Sequence, residues 1–248
     1  MDLITFEKII PELRSAIVGR KAGKIFQLAK FDFAIDFRLP DSSYLFISVE
    51  PGDPRIYLIR RRLRDLERAS TNLLPFAQFL RKRISNATII DLQQIDDERV
   101  LRILLDAEDD LGRRAVYSLI VQLTGRSANL FLADANDIII ERLRETRDDG
   151  QEISTKYSPP DRPNRPTATR SLLSDSFNGS ISEYLDSLSI EKKKENGFRT
   201  IAAAAESRLK QQIAKLERHR ILLEGDLVSH GDAEKWKHFG DALLGSVA

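Results

Sequence analysis

The stretch FDFAIDFRL, residues 31–39, alternates Phe31, Phe33, Ile35, Phe37 and Leu39 with Asp32, Ala34, Asp36 and Arg38. A period of two places one set on one face of a pleated strand, so the fold must supply a layer to cover it. Strand-like runs then recur as SYLFISV, RIYLI, ATIIDL, RVLRILL, AVYSLIVQL, ANLFLA and DIIIE. The first part of the chain therefore reads as a predominantly antiparallel β domain. Two helices flank or interrupt it. Leu3, Phe6, Ile10, Leu13 and Ile17 step by three and four along one helical face, and Gly19 is a natural stop. LLPFAQFLRKRIS predicts the second helix, with Pro75 in its first turn, where its missing N–H costs nothing.

A different pattern follows YSPPDRPNRPTATRS, whose prolines and few apolar residues predict a linker. From Ser182 to Leu223 the sequence predicts one long helix, weakened at Gly197. Its Leu209, Ile213, Leu216, Arg220 and Leu223 have the spacing of a coiled-coil seam. A turn is expected between Gly225 and Gly231, then a returning helix carrying Trp236, Phe239, Leu243 and Leu244. The expected organisation is a β domain over 1–158, a proline-rich linker over 159–181 and an antiparallel coiled-coil hairpin over 182–248. The fold class is α+β.

Lys and Arg number 39 against 38 Asp and Glu, so nucleic acid would have to be held by a local patch rather than by overall charge. The absence of cysteine excludes disulfides and thiolate metal sites. MDLITFEKIIPELRS breaks its apolar run with charges, unlike a secretory leader, and no stretch has the roughly 18 apolar residues of a membrane span. A cytoplasmic protein without a membrane partner is expected.

Catalytic patterns are missing from the sequence. His219, His230 and His238 lack the spacing of a metal helix, no Gly-x-Ser-x-Gly elbow occurs, and no glycine-rich loop ends in Lys-Ser/Thr. No catalytic residue, metal or cofactor is therefore expected. Basic residues carry more promise. Arg60, Arg61 and Arg62 in RRRLR, and Arg81, Lys82 and Arg83 in RKR, are candidate phosphate contacts because a guanidinium fork donates two parallel hydrogen bonds. A solvated, acid-paired face is the alternative. Glu98-Arg99 reads first as a surface ion pair, although an adjacent acid and guanidinium can also read a base edge. In LTGRSANLFLAD, Gly125, Arg126 and Asn129 sit between two strands. They suit either an ordinary hairpin turn or a turn that contacts a ligand.

Several motifs in register resemble the NFACT family, which includes the RqcH-type ribosome quality-control factors and is often labelled fibronectin-binding protein A. They are Asp2, Glu12-Leu13, Val18-Gly19, Lys24-Ile25-Phe26-Gln27, Leu80-Arg81-Lys82, Glu98-Arg99, Gly125-Arg126-Ser127-Ala128-Asn129 with Asp134, and Tyr157-Ser158-Pro159-Pro160. AEKWKHFGDALL is similar to the family's helix after the coiled-coil tip. Glu98 stands where the family has Asp, and Ser127-Ala128 where it has His-Ser. The helix-hairpin-helix module that follows Pro-Pro in the family is expected to be shortened or absent.

The resemblance implies a β domain like the N-terminal domain of formamidopyrimidine-type DNA glycosylases, without glycosylase activity, since Met1-Asp2-Leu3 replaces the catalytic Pro-Glu start. It implies a factor that binds tRNA and the obstructed large ribosomal subunit and promotes alanine-type C-terminal tailing of stalled chains. The implied RNA-binding set is Asp2, Glu98, Arg99, Gly125, Arg126, Ser127 and Asn129. The alternatives are a fibronectin-binding surface adhesin, which the family label suggests, and a glycosylase-like nucleic-acid-binding protein.

Overall fold

The computed structural model describes residues 1–95, 98–108, 112–146, 148–160 and 179–246. Helix α1 (Leu3–Ile17) starts at Asp2, whose carboxylate accepts the Thr5 N–H at 2.9 Å and the Thr5 hydroxyl at 2.6 Å. Such a cap satisfies a first-turn N–H that lacks an intrahelical partner. Of the expected face, Phe6, Ile10, Leu13 and Ile17 enter the core and Leu3 packs partly buried against it; Ile9 is buried as well, and Gly19 turns the chain at φ +77°.

Two antiparallel sheets follow. The first has the order β1 (Ile25–Ala29), β2 (Asp32–Ile35), β3 (Ser43–Ser48) and β4 (Arg55–Arg60). The second has the order β5 (Thr88–Gln94), β6 (Val100–Glu108), β7 (Arg114–Gln122), β8 (Asn129–Ala133) and β9 (Ile139–Arg142). The strand expected over 31–39 is shorter, because the Asp36 carboxylate accepts the Arg38 N–H at 2.6 Å and Arg38 turns to φ +54°. Side-chain bonding of this kind offers the backbone a turn in place of the ladder.

Helix α2 (Leu63–Ala69) was not signalled by the cation-rich sequence, whereas α3 (Pro75–Ile84) starts at Pro75 as expected. Helix α1 packs on β4 and β5, and α3 on β1, β6 and β9, so one apolar core joins helices and both sheets. A smaller cluster of Val100, Ile120, Phe131, Ala133, Ile139 and Tyr157 covers the other face of the second sheet. Burial of both faces accounts for the unbroken apolar run of β8.

The chain divides into two units, 1–188 and 189–248. Helix α4 (Ile181–Gly231) begins in the first unit, where Glu12 accepts the Ser180 hydroxyl at 3.0 Å and the N–H groups of Ile181 and Ser182 at 2.8 and 3.2 Å. Ser182 accepts the Leu58 N–H at 2.9 Å, and Leu185 is buried. In the second unit the expected turn is absent: α4 is helical through Gly225 to Gly231, and the break falls at Asp232 before α5 (Ala233–Gly245). Two glycines cost a helix about 1 kcal/mol each, which is too little to end one surrounded by good helix formers. The seam residues Leu209, Ile213, Leu216 and Leu223 stay 49–66% exposed, so α5 does not return onto them. Most of the expected linker, residues 161–178, lies outside the described residues. No described helix is long and apolar enough to cross a membrane.

Candidate nucleic-acid interface

The ladder of the second sheet decides which predicted residues meet. Val100 at the start of β6 pairs with Gln122 at the end of β7, and Gln122 pairs with Asn129 at the start of β8. Glu98-Arg99 and the Gly125–Asn129 stretch therefore lie at the same end of one sheet. The Leu123 N–H donates to the Arg99 carbonyl at 2.8 Å, extending the ladder by one step. Arg99 is half-buried, and its Nη1 donates to the Met1 carbonyl at 2.8 Å, which brings Asp2 to the same end. The Glu98 backbone is held on both sides, its N–H donating to the Ile95 carbonyl and its carbonyl accepting from Gln94 Nε2, each at 3.0 Å.

Residues Gly125–Ser127 form one 3-10 turn. Gly125 sits at φ +62°, and nothing lies within 4 Å of where its Cβ would be. Backbone conformation, rather than close approach, is what requires glycine there. Asn129 is fully buried. Its Nδ2 donates to the Arg144 carbonyl at 2.9 Å, while its Oδ1 accepts the N–H groups of Leu130 at 2.9 Å and Arg144 at 3.2 Å. Gln122 Nε2 donates to the Ser127 carbonyl, and Gln122 Oε1 accepts the Tyr157 hydroxyl at 2.7 Å. Burial holds the Tyr157 phenol well above the ordinary tyrosine range, so it is a neutral donor. Arg144 Nη2 donates to the Arg126 carbonyl.

With its carbonyls pinned from within, the turn presents Arg126 outward. Arg126 is exposed, and its side chain makes no hydrogen bond or ion pair among the described residues. Asn129 and Asp2, by contrast, are engaged in framework bonds, one clasping the Arg144 peptide and the other capping α1.

The basic stretches separate in the same way. Arg61 forms a bidentate pair with Asp186 at 2.7 and 2.8 Å, and Arg60 pairs with Glu183 at 3.1 Å, so both fasten the start of α4. Arg62 caps α2 through its carbonyl and leaves its side chain exposed. Arg81, Lys82 and Arg83 form the last turn of α3, where cations complement the helix dipole. Arg83 lies over the Phe79 ring at 5.3 Å, while Arg81 and Lys82 are exposed.

Sequence reading missed Gln122 and Arg144 as supporting residues, and named Glu12 only within a family motif, without its part at the start of α4. A polar residue closing the apolar run AVYSLIVQL was a usable signal for Gln122; Arg144 had none. Among the described residues no group of three or more His, Cys, Asp or Glu is arranged to hold a metal.

Residues 2–178 match the NFACT N-terminal and middle domains. The protein called Rqc2 homolog RqcH of Streptococcus pneumoniae is 27% identical over 127 residues, covering 51% of this chain and 22% of that protein. Its Bacillus subtilis counterpart of the same name is 26% identical over 135 residues, covering 54% and 23%. The matched stretch thus covers less than a quarter of the length of these relatives. Among solved structures, the N-terminal domain of the fibronectin-binding protein PavA from Streptococcus pneumoniae superposes with a TM-score of 0.54 at 21% identity, covering 71% of this chain and 65% of that one. The N-terminal part of the fibronectin/fibrinogen-binding protein of Streptococcus suis gives 0.54 at 25%, covering 69% and 63%.

Proposed function

The chain belongs to the NFACT family, and from that premise we propose that it is a cytoplasmic ribosome quality-control factor. In this reading it binds tRNA and the obstructed large ribosomal subunit and promotes alanine-type tailing of the stalled chain. One observation carries the proposal: two segments joined by the β6–β7 hairpin, Glu98-Arg99 and Gly125–Asn129, meet at one sheet end and present the uncommitted guanidinium of Arg126. The name shared by the pneumococcal and Bacillus relatives supports the ribosomal setting.

Arg126 and Arg99 are the proposed RNA contacts, suited to phosphate and base edges by their donor forks. Glu98 and Ser127 flank them, Gly125 gives the turn its backbone, and Asp2 and Asn129 hold the surface in shape. Arg62, Arg81 and Lys82 offer further phosphate contacts. The factor positions its RNAs and brings no catalytic residue or cofactor of its own; the tRNA ester carries the energy for the peptide bond. Residues 1–158 form a glycosylase-like RNA-facing domain, 159–181 a connecting segment, and 182–248 one side of a coiled coil.

Sedimentation of the purified chain with separated ribosomal subunits, followed by sequencing of RNA that co-purifies from cells, tests this reading. Enrichment of tRNA and co-migration with the large subunit are expected. Binding to fibronectin in place of RNA would favour the adhesin that the neighbours' names describe, and a covalent adduct with abasic DNA on reduction would favour a glycosylase-like activity.

A further inference from the structure

The residue that the RNA reading leaves unexplained is Arg144, just beyond β9. Its peptide group is clasped by Asn129, which donates to its carbonyl and accepts its N–H. Its guanidinium crosses to the turn and donates through Nη2 to the Arg126 carbonyl, and its Nε is buried without a partner among the described residues. The Thr124 hydroxyl, one residue before the turn, is likewise buried and unpartnered. The next carbonyl, that of Ser127, is held from the other side by Gln122.

A carboxylate is a guanidinium's strongest ordinary partner, because a charged acceptor roughly doubles the strength of the bond. Neither Arg126 nor Arg144 has such a partner among the described residues. Two cations therefore serve a single turn: Arg144, anchored from beyond β9 on a neutral carbonyl of the turn, and Arg126, exposed on the turn itself. An anion binding at the turn would add the charged acceptor that both lack.

We infer that Arg144 is a positioning residue of this interface: by fixing the Arg126 carbonyl it sets the direction of the Arg126 side chain toward a phosphate of the RNA backbone. This role rests on the reading of the turn as an RNA contact. Truncating Arg144 leaves the Asn129 clasp intact, since that clasp is made to backbone atoms. The turn should keep its fold while losing the restraint on Arg126.

A double-mutant cycle on the 248-residue chain separates the possibilities, with an unfractionated bacterial tRNA pool as the probe and a salt series for each variant. Arg126→Ala should weaken binding by about tenfold or more and reduce the salt slope by close to one phosphate's worth, about 0.7–0.9. Arg144→Ala should produce most of the same loss, and the double variant should bind no more weakly than Arg126→Ala alone, because one residue acts through the other. Arg144→Lys, which keeps a donor within reach of the carbonyl, should recover part of the affinity; it is also the variant to use if alanine lowers the melting temperature. Additive losses, with a second unit of salt slope, would overturn positioning and make Arg144 an independent phosphate contact. Wild-type binding by Arg144→Ala beside a weakened Arg126→Ala would overturn the inference alone. Wild-type binding by Arg126→Ala would overturn the reading of the turn as an RNA contact, and the positioning role with it.

Discussion

Replacing Asn129 with alanine removes a side chain that is fully buried and makes three hydrogen bonds, two of them to the N–H and C=O of Arg144. Both Arg144 groups lose their partner in a half-buried setting. A buried polar group left unpaired costs about 1–3 kcal/mol, so two of them, partly relieved by water, cost about 2–4 kcal/mol. For a domain of 150–250 residues each kcal/mol lowers the melting temperature by about 2–4 °C, which gives a fall of at least about 4 °C. Urea titration followed by circular dichroism measures the loss directly, and tRNA binding should be assayed at a temperature where the variant is still folded. The expected outcome is a clear destabilisation with a secondary loss of binding, because the clasp supports the turn. An unchanged melt with weakened tRNA binding would refute the reasoning and make Asn129 a reader of RNA.

Tyr157 is neutral in the folded chain, its phenol raised by burial, whereas in the unfolded chain it ionises near pH 10. Its contribution is complete below pH 10 and is lost as pH rises above it, by up to about 1.4 kcal/mol per pH unit; urea melts at pH 9 to 11 should show a shallower decline for Tyr157→Phe than for wild type, and equal slopes would count against a buried phenol. Asp186→Ala breaks the bidentate pair with Arg61 and should cost about 1–3 kcal/mol, with faster amide exchange over residues 181–188. Glu183→Ala, whose pair with Arg60 is more than 60% exposed on both sides, should stay within about 1 kcal/mol. Leu216→Ala should change the melt by less than about 0.5 kcal/mol because the side chain is 66% exposed; a loss of about 2 kcal/mol or more would show that the seam is covered in solution.

Strands and their antiparallel succession were legible because alternation and turn chemistry are local properties, and Pro75 announced α3 for the same reason. The end of β2 was not, since it depends on one carboxylate, that of Asp36, reaching the Arg38 N–H. Helix α2 lay hidden because its cations dominate the pattern and only Leu66 is buried. The expected turn between Gly225 and Gly231 illustrates the converse: glycine weakens a helix without compelling a stop. At the candidate site, family motifs named stretches of chain but not the structural part that each residue plays within them. Exposure separates Arg126 from Asn129, and exposure follows from the register of β7 and β8, which no single motif encodes. Arg60 and Arg61 similarly looked like ligand-binding cations, yet their partners Glu183 and Asp186 lie more than 120 positions along the chain.

The most direct test of the proposed RNA-binding face is the salt dependence of tRNA affinity for Arg126→Ala beside wild type, with thermal melts of both. The Arg126 side chain makes no bond among the described residues, so its loss should leave the melt unchanged. Affinity should fall by an amount matching one charged hydrogen bond, about 1.5–3 kcal/mol, and the slope of log K against log salt should become shallower by about 0.7–0.9. An unchanged affinity and slope in a fully folded variant would contradict the assignment of this turn as an RNA contact.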